Sequence, residues 1–484
     1  MKIDFEKLDR AFNPRSVVVV GDKNELRWLR AQSTFKGKLY SVQISQQSIK
    51  AIEALGVKNY TSLLDIPDAI DLAIVAVPRA ATPQIIEDCI HKEVAAAHFF
   101  TAGFSETDTE EGKRLEHQLV KRARQANFLL IGPNCMGIFN PKLGIRQNEE
   151  QYVGSAGTVG LISQSGTHAG RFSVMAHLQG VDINKSVSFG NGAVLDSADY
   201  LEYFGTQPDI KAIGMYLEGV KDGRKFFTVL KEVSRRKPVV IWKGGRSEEG
   251  HQAIASHTGA LAISQVIWDA AMRQCGAISV KNMEELIDTL GALVYLPPVR
   301  GNKVGVAGVS GGQSVAISDA FAEVGLNVPP LTQDSYDEFA SFFKLVGGSY
   351  RNPVDAGMFN RPQIKRILEI LEKDANIDNL VFSIWAGGGR PFEELLKDLS
   401  IAIEISKGTR KPLMVILPFV SPQWKTQQSR QTIQKLSDNS IPTFFTFERG
   451  ARALKNVWDY YSFKTKIENS YLVHTLPRGK EAPR

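Results

Sequence analysis

Apolar residues recur along this chain as short unbroken runs, separated by stretches whose apolar positions repeat at helical spacing. "SVVVVG" (16–21), "LAIVAVP" (72–78), "AAAHFFTAGF" (95–104) and "FLLIGPN" (128–134) have the length and composition of strands buried on both faces. Between them, "ATPQIIEDCIHKE" and "EEGKRLEHQLVKRARQA" predict amphipathic helices with charged outer faces. Strands alternating with helices predict an α/β fold built on parallel sheets. At 141–157, "PKLGIRQNEEQYVGSAG", the apolar rhythm lapses and a linker is expected.

Beyond it the order of elements repeats. "TVGLISQSGTHAGRFSVM" is answered by "KVGVAGVSGGQSVAISDA" (303–320), and "IKAIGMYLEGV" by "IDNLVFSIWAGGG" (377–389). "KPVVIWKGG" is answered by "KPLMVILPF" (411–419), and "GAISVKNMEELIDTLGALV" by "SIPTFFTFERGARALKNVW" (440–458). Four short matches in one order predict two tandem doubly wound domains of similar topology. The expected boundaries are 1–145, 155–295 and 300–465, with 466–484 a polar tail lacking a core of its own.

Composition fits this picture and excludes others. Of 484 residues, 43% are hydrophobic and 23% charged, the balance of a soluble globular protein. The net charge of +6 is spread without a dense Lys/Arg run, so no nucleic-acid groove is expected, and small anions suit it as well. Cys89, Cys135 and Cys275 lie far apart, which argues against a disulfide scaffold or a structural metal and for a reducing compartment. "MKIDFEKLDRAFNP" is too charged for a signal peptide, and no apolar run is long enough for a membrane span. A cytoplasmic location is expected.

Two strand-end turns stand out. Ser163, Gln164, Ser165 and Gly166 follow "VGLI", and Gly311 and Gly312 follow "VGVAGVS"; small residues ahead of a helix start let backbone N–H groups hold an anion. No GxxxxGK[ST] loop is present. After the first strand Gly21 stands alone and is followed by Asp22, which would repel a pyrophosphate and is expected to cap a helix instead.

The segment "GGRSEEGHQAIASHTGALA" (244–262) sets His257 between Ser256 and Thr258. No second ligand stands at i+3 or i+4 for a metal, and no GxSxG elbow exists for a hydrolase. An exposed imidazole among small residues, near anion-holding helix starts, is suited to carry a phosphoryl group on a ring nitrogen. Glu218, at the end of "IGMYLEG", is the expected orienting carboxylate; a salt bridge to Lys243 or Arg246 is the competing reading.

"GLISQSG", "SFGNG", "YLEGVKDGRKF", "KPVVIWKGGRSEEGHQAIASHTGALA" and "NPVDAG" resemble the NDP-forming, ADP-forming acyl-CoA synthetases, α-subunit type, related to succinyl-CoA synthetase. The resemblance runs from about residue 10 to 460 and takes in "NPRSVVVVG", "TAGFSE" and "GPNCMGIFNP". It implies a Rossmann-like CoA-binding domain followed by two flavodoxin-like domains, the first with a phosphohistidine loop, the second of CoA-ligase type. His257 falls on the phosphorylated histidine and Glu218 on the glutamate that stabilises it. CoA contacts fall on Val77, Pro78, Thr101, Ala102, Gly103, Asn134 and Cys135. At Gly21 the chain departs from the family: where relatives carry a glycine-bearing loop it has "GDKNELRW", so CoA pyrophosphate binding is expected to be weakened or rerouted through Lys23 and Arg27. The implied reaction is reversible: acid, CoA and ATP give acyl-CoA, ADP and phosphate through acyl-phosphate and phosphohistidine intermediates.

No ATP-grasp domain is recognisable in these residues, so the resemblance implies a β subunit that supplies it, with Mg²⁺ and ATP/ADP bound there, in a heteromer such as α2β2. His168 and Phe189 point to an acid larger than acetate. The altered first turn motivates an alternative, a CoA- or acyl-CoA-binding regulatory protein without turnover. A nicotinamide-dependent oxidoreductase is disfavoured because Gly21 lacks its glycine partners.

Overall fold

The structure, a computed structural model, describes residues 3–23, 25–250, 252, 264–385, 391–418 and 426–475. The chain divides into two compact units, Met1–Leu286 and Ile287–Arg484. The first holds two sheets and the second holds one.

The first sheet contains β1 (Ser16–Val20), β2 (Lys38–Val42), β3 (Lys58–Tyr60), β4 (Leu72–Val75), β5 (Ala96–Phe99) and β6 (Leu129–Ile131). Its order is β3-β2-β1-β4-β5-β6, all parallel, which is the doubly wound dinucleotide-fold order with its switch point between β1 and β4. Four of the strands, β1, β4, β5 and β6, are the apolar runs read from the sequence. β2 and β3 were not among them: each begins with an exposed lysine and lies toward the sheet edge, so neither shows a continuous apolar run.

The second sheet contains β7 (Gly137–Phe139), β8 (Val159–Ser163), β9 (Ile183–Ser188), β10 (Ala212–Leu217), β11 (Val239–Lys243) and β12 (Ile278–Val280). Its order is β12-β11-β10-β8-β9-β7, with only β7 antiparallel. Counted from β8, this is the flavodoxin order 2-1-3-4-5 with one added edge strand. The second unit has the same order in β14-β13-β15-β16-β17, where β13 is Val304–Val309, β14 Val354–Asp355, β15 Asn379–Ser383, β16 Leu413–Ile416 and β17 Thr443–Phe444. Each of the four sequence matches therefore pairs strands in the same sheet position. The final helix, Phe447–Thr475, runs past residue 466 and is tied by Arg449, which grips Asp288 through two bonds of 2.7 Å.

One apolar cluster joins the two sheets of the first unit, with Phe12 stacked on Tyr203 at 5.1 Å and edge-on to Phe204. β7 crosses to the second sheet directly from the first: a Cβ on Gly137 would lie 2.1 Å from the buried His98 of β5. Burial holds that imidazole neutral, pushing its pKa down to about 3.

Part of the segment read as a linker, residues 144–147 with Gln151, is a buried strap. Arg146 donates to the carbonyls of Ala31 and Glu149, each at 2.9 Å, and Gln32 bonds back to Arg146. Gln147 reaches the Gly137 carbonyl at 2.7 Å, and Gln151 reaches Ser173 at 2.7 Å. The polar residues that break the apolar rhythm are there to satisfy buried backbone.

Candidate functional site

Parallel strands bring their carboxyl ends to one edge, and in the first sheet this edge gathers most of the residues expected to meet CoA. Gly21 ends β1 with φ +79°, and a Cβ there would come 2.4 Å from Val77 Cγ1, so only glycine permits this approach. The Thr101 hydroxyl donates to the Val77 carbonyl at 2.7 Å, and the Asn134 amide donates to the Thr101 carbonyl at 3.1 Å. Pro78, Ala102 and Gly103 lie on the same turns, and Arg79 holds the Gly103 carbonyl. Cys135 differs: its side chain is buried against the Phe99 and Ile131 carbonyls, and burial raises its thiol to about 12.

Asp22 does cap the following helix, Arg27–Ala31, but from a distance. Leu26 occupies the N-cap position in a left-handed conformation, while the Asp22 carboxylate accepts the Leu29 amide at 2.9 Å. The side chain is 2% exposed, and burial raises its carboxyl from 3.8 to about 6. Lys23 and Arg27 flank it as exposed cations.

In the second sheet, the turn after β8 leads into the helix Gly166–Leu178. Ser165 caps it, accepting the His168 amide at 3.3 Å. The Ser163 hydroxyl is used inside the turn, on the Ser165 carbonyl at 2.7 Å. Gln164 clasps the end of β10: its amide donates to the Tyr216 carbonyl at 3.0 Å, and its Oε1 accepts the amides of Glu218 at 2.8 Å and Gly219 at 3.2 Å. Glu218 thereby stands beside the anion-type turn, 8% exposed. The Tyr216 hydroxyl donates to Glu218 Oε1 at 3.2 Å, and a Cβ on Gly244 would fall 2.8 Å from that hydroxyl. Lys243 donates to the Gly244 and Gly245 carbonyls and Arg246 to the Lys281 carbonyl.

The sequence reading did not single out Tyr216 and Trp242. With His168 they form a cluster of three rings, centroids 4.4 to 4.7 Å apart, and burial lowers the His168 pKa. The only signal was an aromatic residue two places before Glu218 and another before Lys243. Phe189 is corrected: at 1% exposure, packed on Tyr200, its ring belongs to the core and carries no argument about acid size.

The two carboxyl edges meet through the glycine loop after β9. A Cβ on Gly190 would lie 2.1 Å from the Asn134 carbonyl oxygen, and the Asn191 amide donates to the Pro133 carbonyl at 3.0 Å. The Asn191 side chain bonds Glu106 at 2.6 Å and Glu116 at 2.8 Å, while Glu106 accepts the Gly103 amide. Met136 sits between Arg27 and Gly166. The first-sheet turns, Ser163–Gly166 and Glu218 are thus parts of one unit.

In the second unit, the helix Gly311–Glu323 starts with a capping box between Ser310 and Gln313. A Cβ on Gly311 would have Asp355 at 3.1 Å, whereas Gly312 is open. Ser310 and Gln313 border a cavity of about 780 Å³ that also meets Arg361, Trp385 and Lys397. His257 and His251 lie outside the described residues. Among the described residues no helix is long and apolar enough to cross a membrane, and no cluster of His, Cys, Asp and Glu could hold a metal.

Residues 15–141 match a family described as CoA binding domain, and residues 156–293 one described as succinyl-CoA ligase like flavodoxin domain. The chain is 34% identical to the α subunit of acetate–CoA ligase [ADP-forming] II of Pyrococcus furiosus, over 90% of this chain and 94% of that one. It is 36% identical to acetate–CoA ligase [ADP-forming] I of Archaeoglobus fulgidus, over 95% of this chain but 64% of that longer protein. The solved dinucleotide forming acetyl-coenzyme A synthetase 1 of Ca. Korarchaeum cryptofilum, in complex with phosphate and ADP, matches with a TM-score of 0.83. It is 28% identical, and the match covers 96% of this chain and 98% of that one. A CoA-fold sheet joined to a flavodoxin-order sheet carrying the Ser163 turn, and a 34% identical α subunit matched over 94% of its length, place this chain in the ADP-forming acyl-CoA ligase family, as an α-type subunit.

Proposed function

We propose that this subunit carries a phosphoryl group on His257 between a nucleotide site on a partner and an acyl site of its own. The partner is an ATP-grasp β subunit, in an assembly such as α2β2, holding ATP or ADP with Mg²⁺. In the synthetic direction His257 takes the γ-phosphoryl group of ATP, releasing ADP. The substrate carboxylate takes it from His257 as an acyl phosphate, and the CoA thiol displaces phosphate to give the thioester. An acyl phosphate and a thioester are comparably activated, and a closed site keeps both from water.

The residues of the first unit have the parts this requires. The helix start at Ser165–Gly166 offers backbone N–H groups to the travelling phosphate. Glu218 orients the imidazole by accepting from the ring nitrogen that does not carry phosphate. Gly21, Lys23, Arg27, Val77, Thr101–Gly103 and Asn134 receive CoA, with the two exposed cations offsetting the charge of Asp22. In the second unit, the helix start at Gly311–Gly312 serves as a further phosphate-holding position. The observation that carries the reading is the Asn134–Asn191 junction, which sets the CoA-fold turns against the Ser163 turn within one unit.

Incubation with the β subunit and γ-labelled ATP tests it. Acid-labile, base-stable label on wild type, lost in His257→Ala, is the expected result. A competent β subunit that leaves wild type unlabelled overturns the proposal in favour of a CoA-binding regulator. The acid is identified by a screen across chain lengths, since relatives are named for acids as different as acetate and 4-hydroxybutyrate.

A further inference from the structure

The opposite edge of the second sheet holds a feature that the acyl-transfer reading does not use. Where β8, β9 and β10 begin, Asn13, Asn140, Lys142, Gly157, Lys185 and Lys211, with their neighbours, enclose a cavity of about 400 Å³. Lys185 is 6% exposed, yet its ammonium has one hydrogen bond, to Gln207 Oε1 at 3.1 Å, and the Tyr203 ring at 6.0 Å. Among the described residues no carboxylate lies within salt-bridge distance of it; Asp9 and Asp209 act on it only from farther off. A buried lysine without an ion pair is rare, because desolvating the ammonium is costly. Burial lowers its pKa accordingly, and Lys142 adds to that.

Lys142 and Lys211 line the same cavity from exposed positions. Asp209 is the one acidic residue in the lining, against three lysines. Two wall residues are held by hydrogen bonds to backbone. Asn140 donates to the Phe12 carbonyl at 2.9 Å, and Asn184 donates to the Gly157 carbonyl at 3.0 Å. No arginine lines the cavity, so an anion here would be held by lysine ammonium groups acting as point charges, a mode that suits phosphate oxygens. The volume fits a compact ligand of small-metabolite size.

We infer that this cavity binds a small phosphate-bearing anion, whose charge completes the environment of Lys185 on the side of the sheet away from Ser163. The inference is independent of the phosphoryl relay.

Pyrophosphate is the probe. The full-length chain is acylated with limiting acetic anhydride, with and without pyrophosphate at matched ionic strength, and modified lysines are read by peptide mass spectrometry. Pyrophosphate, but not chloride, is expected to slow acylation of Lys142 and Lys211, and Lys185→Met is expected to remove that protection. Because protection is read at each lysine, pyrophosphate held at the Ser163 turn does not register. Equal acylation of Lys142 and Lys211 with pyrophosphate and with chloride, or protection that survives in Lys185→Met, overturns the inference.

Discussion

Asp22→Asn isolates the cost of sealing a carboxylate inside the first strand–helix turn. Asp22 is buried and accepts the Leu29 amide, and burial outweighs that bond, raising its carboxyl from 3.8 to about 6. The sign follows from proton counting. Well below pH 4 the group is protonated whether the chain is folded or not, and costs nothing. From about pH 4 to about pH 6 the opened chain gives up its proton while the folded one keeps it, so stability falls as pH rises. Above that the full cost remains, about 3 kcal/mol for a displacement of this size.

Asparagine keeps an acceptor for the Leu29 amide and cannot ionise. Whatever its own NH₂ group costs in this pocket is independent of pH and cancels between two pH values. The advantage of Asp22→Asn over wild type should therefore grow by about 2 kcal/mol between about pH 4.5 and pH 8, the rest having been lost lower down. Amide hydrogen exchange over residues 27–32, corrected for intrinsic rates, reads this as a local opening free energy. The same advantage at both pH values would refute the assignment of a raised carboxyl to Asp22.

Three further outcomes follow from the same geometry. Gly21→Ala places a methyl group against Val77 at a left-handed φ, so it should cost about 1–3 kcal/mol in thermal melts and weaken CoA in a titration. Tyr216→Phe removes the hydroxyl on Glu218, and kcat should fall about tenfold with the KM for CoA unchanged in steady-state assays with the β subunit. Asn191→Ala leaves Glu106 and Glu116 without the amide they share and should lower stability by about 1–3 kcal/mol in urea titrations; Asn191→Asp, which adds a third carboxylate, should cost more.

What could be read from the sequence and what could not divide along a physical line. Strands buried on both faces, such as Val17–Val20 and Leu72–Val75, advertise themselves because every residue faces apolar neighbours. The repeat was readable for the same reason: β8 and β13 each run apolar into a small-residue turn and a helix. β2 and β3 escaped because outer strands with exposed lysines carry no such run. The buried part of 141–157 did not show in the sequence, because Arg146, Gln147 and Gln151 are polar in composition while their partners lie in distant segments. Glu218 and the Ser163 turn stood out, since small residues and a carboxylate at strand ends are local facts. Their positioning is not local: Gln164 clasps Glu218 from 54 residues away, and Asn191 reaches Glu106 across 85. The same contacts explain why the glycines cluster as they do. Gly21, Gly137 and Gly190 each stand where a Cβ would strike a neighbouring segment, so they mark the places where the first sheet closes on itself and on the second. A substitution at any of them should therefore disturb CoA binding and the Ser163 turn together, whereas changes at the Gly312 helix start, which is open, should spare both.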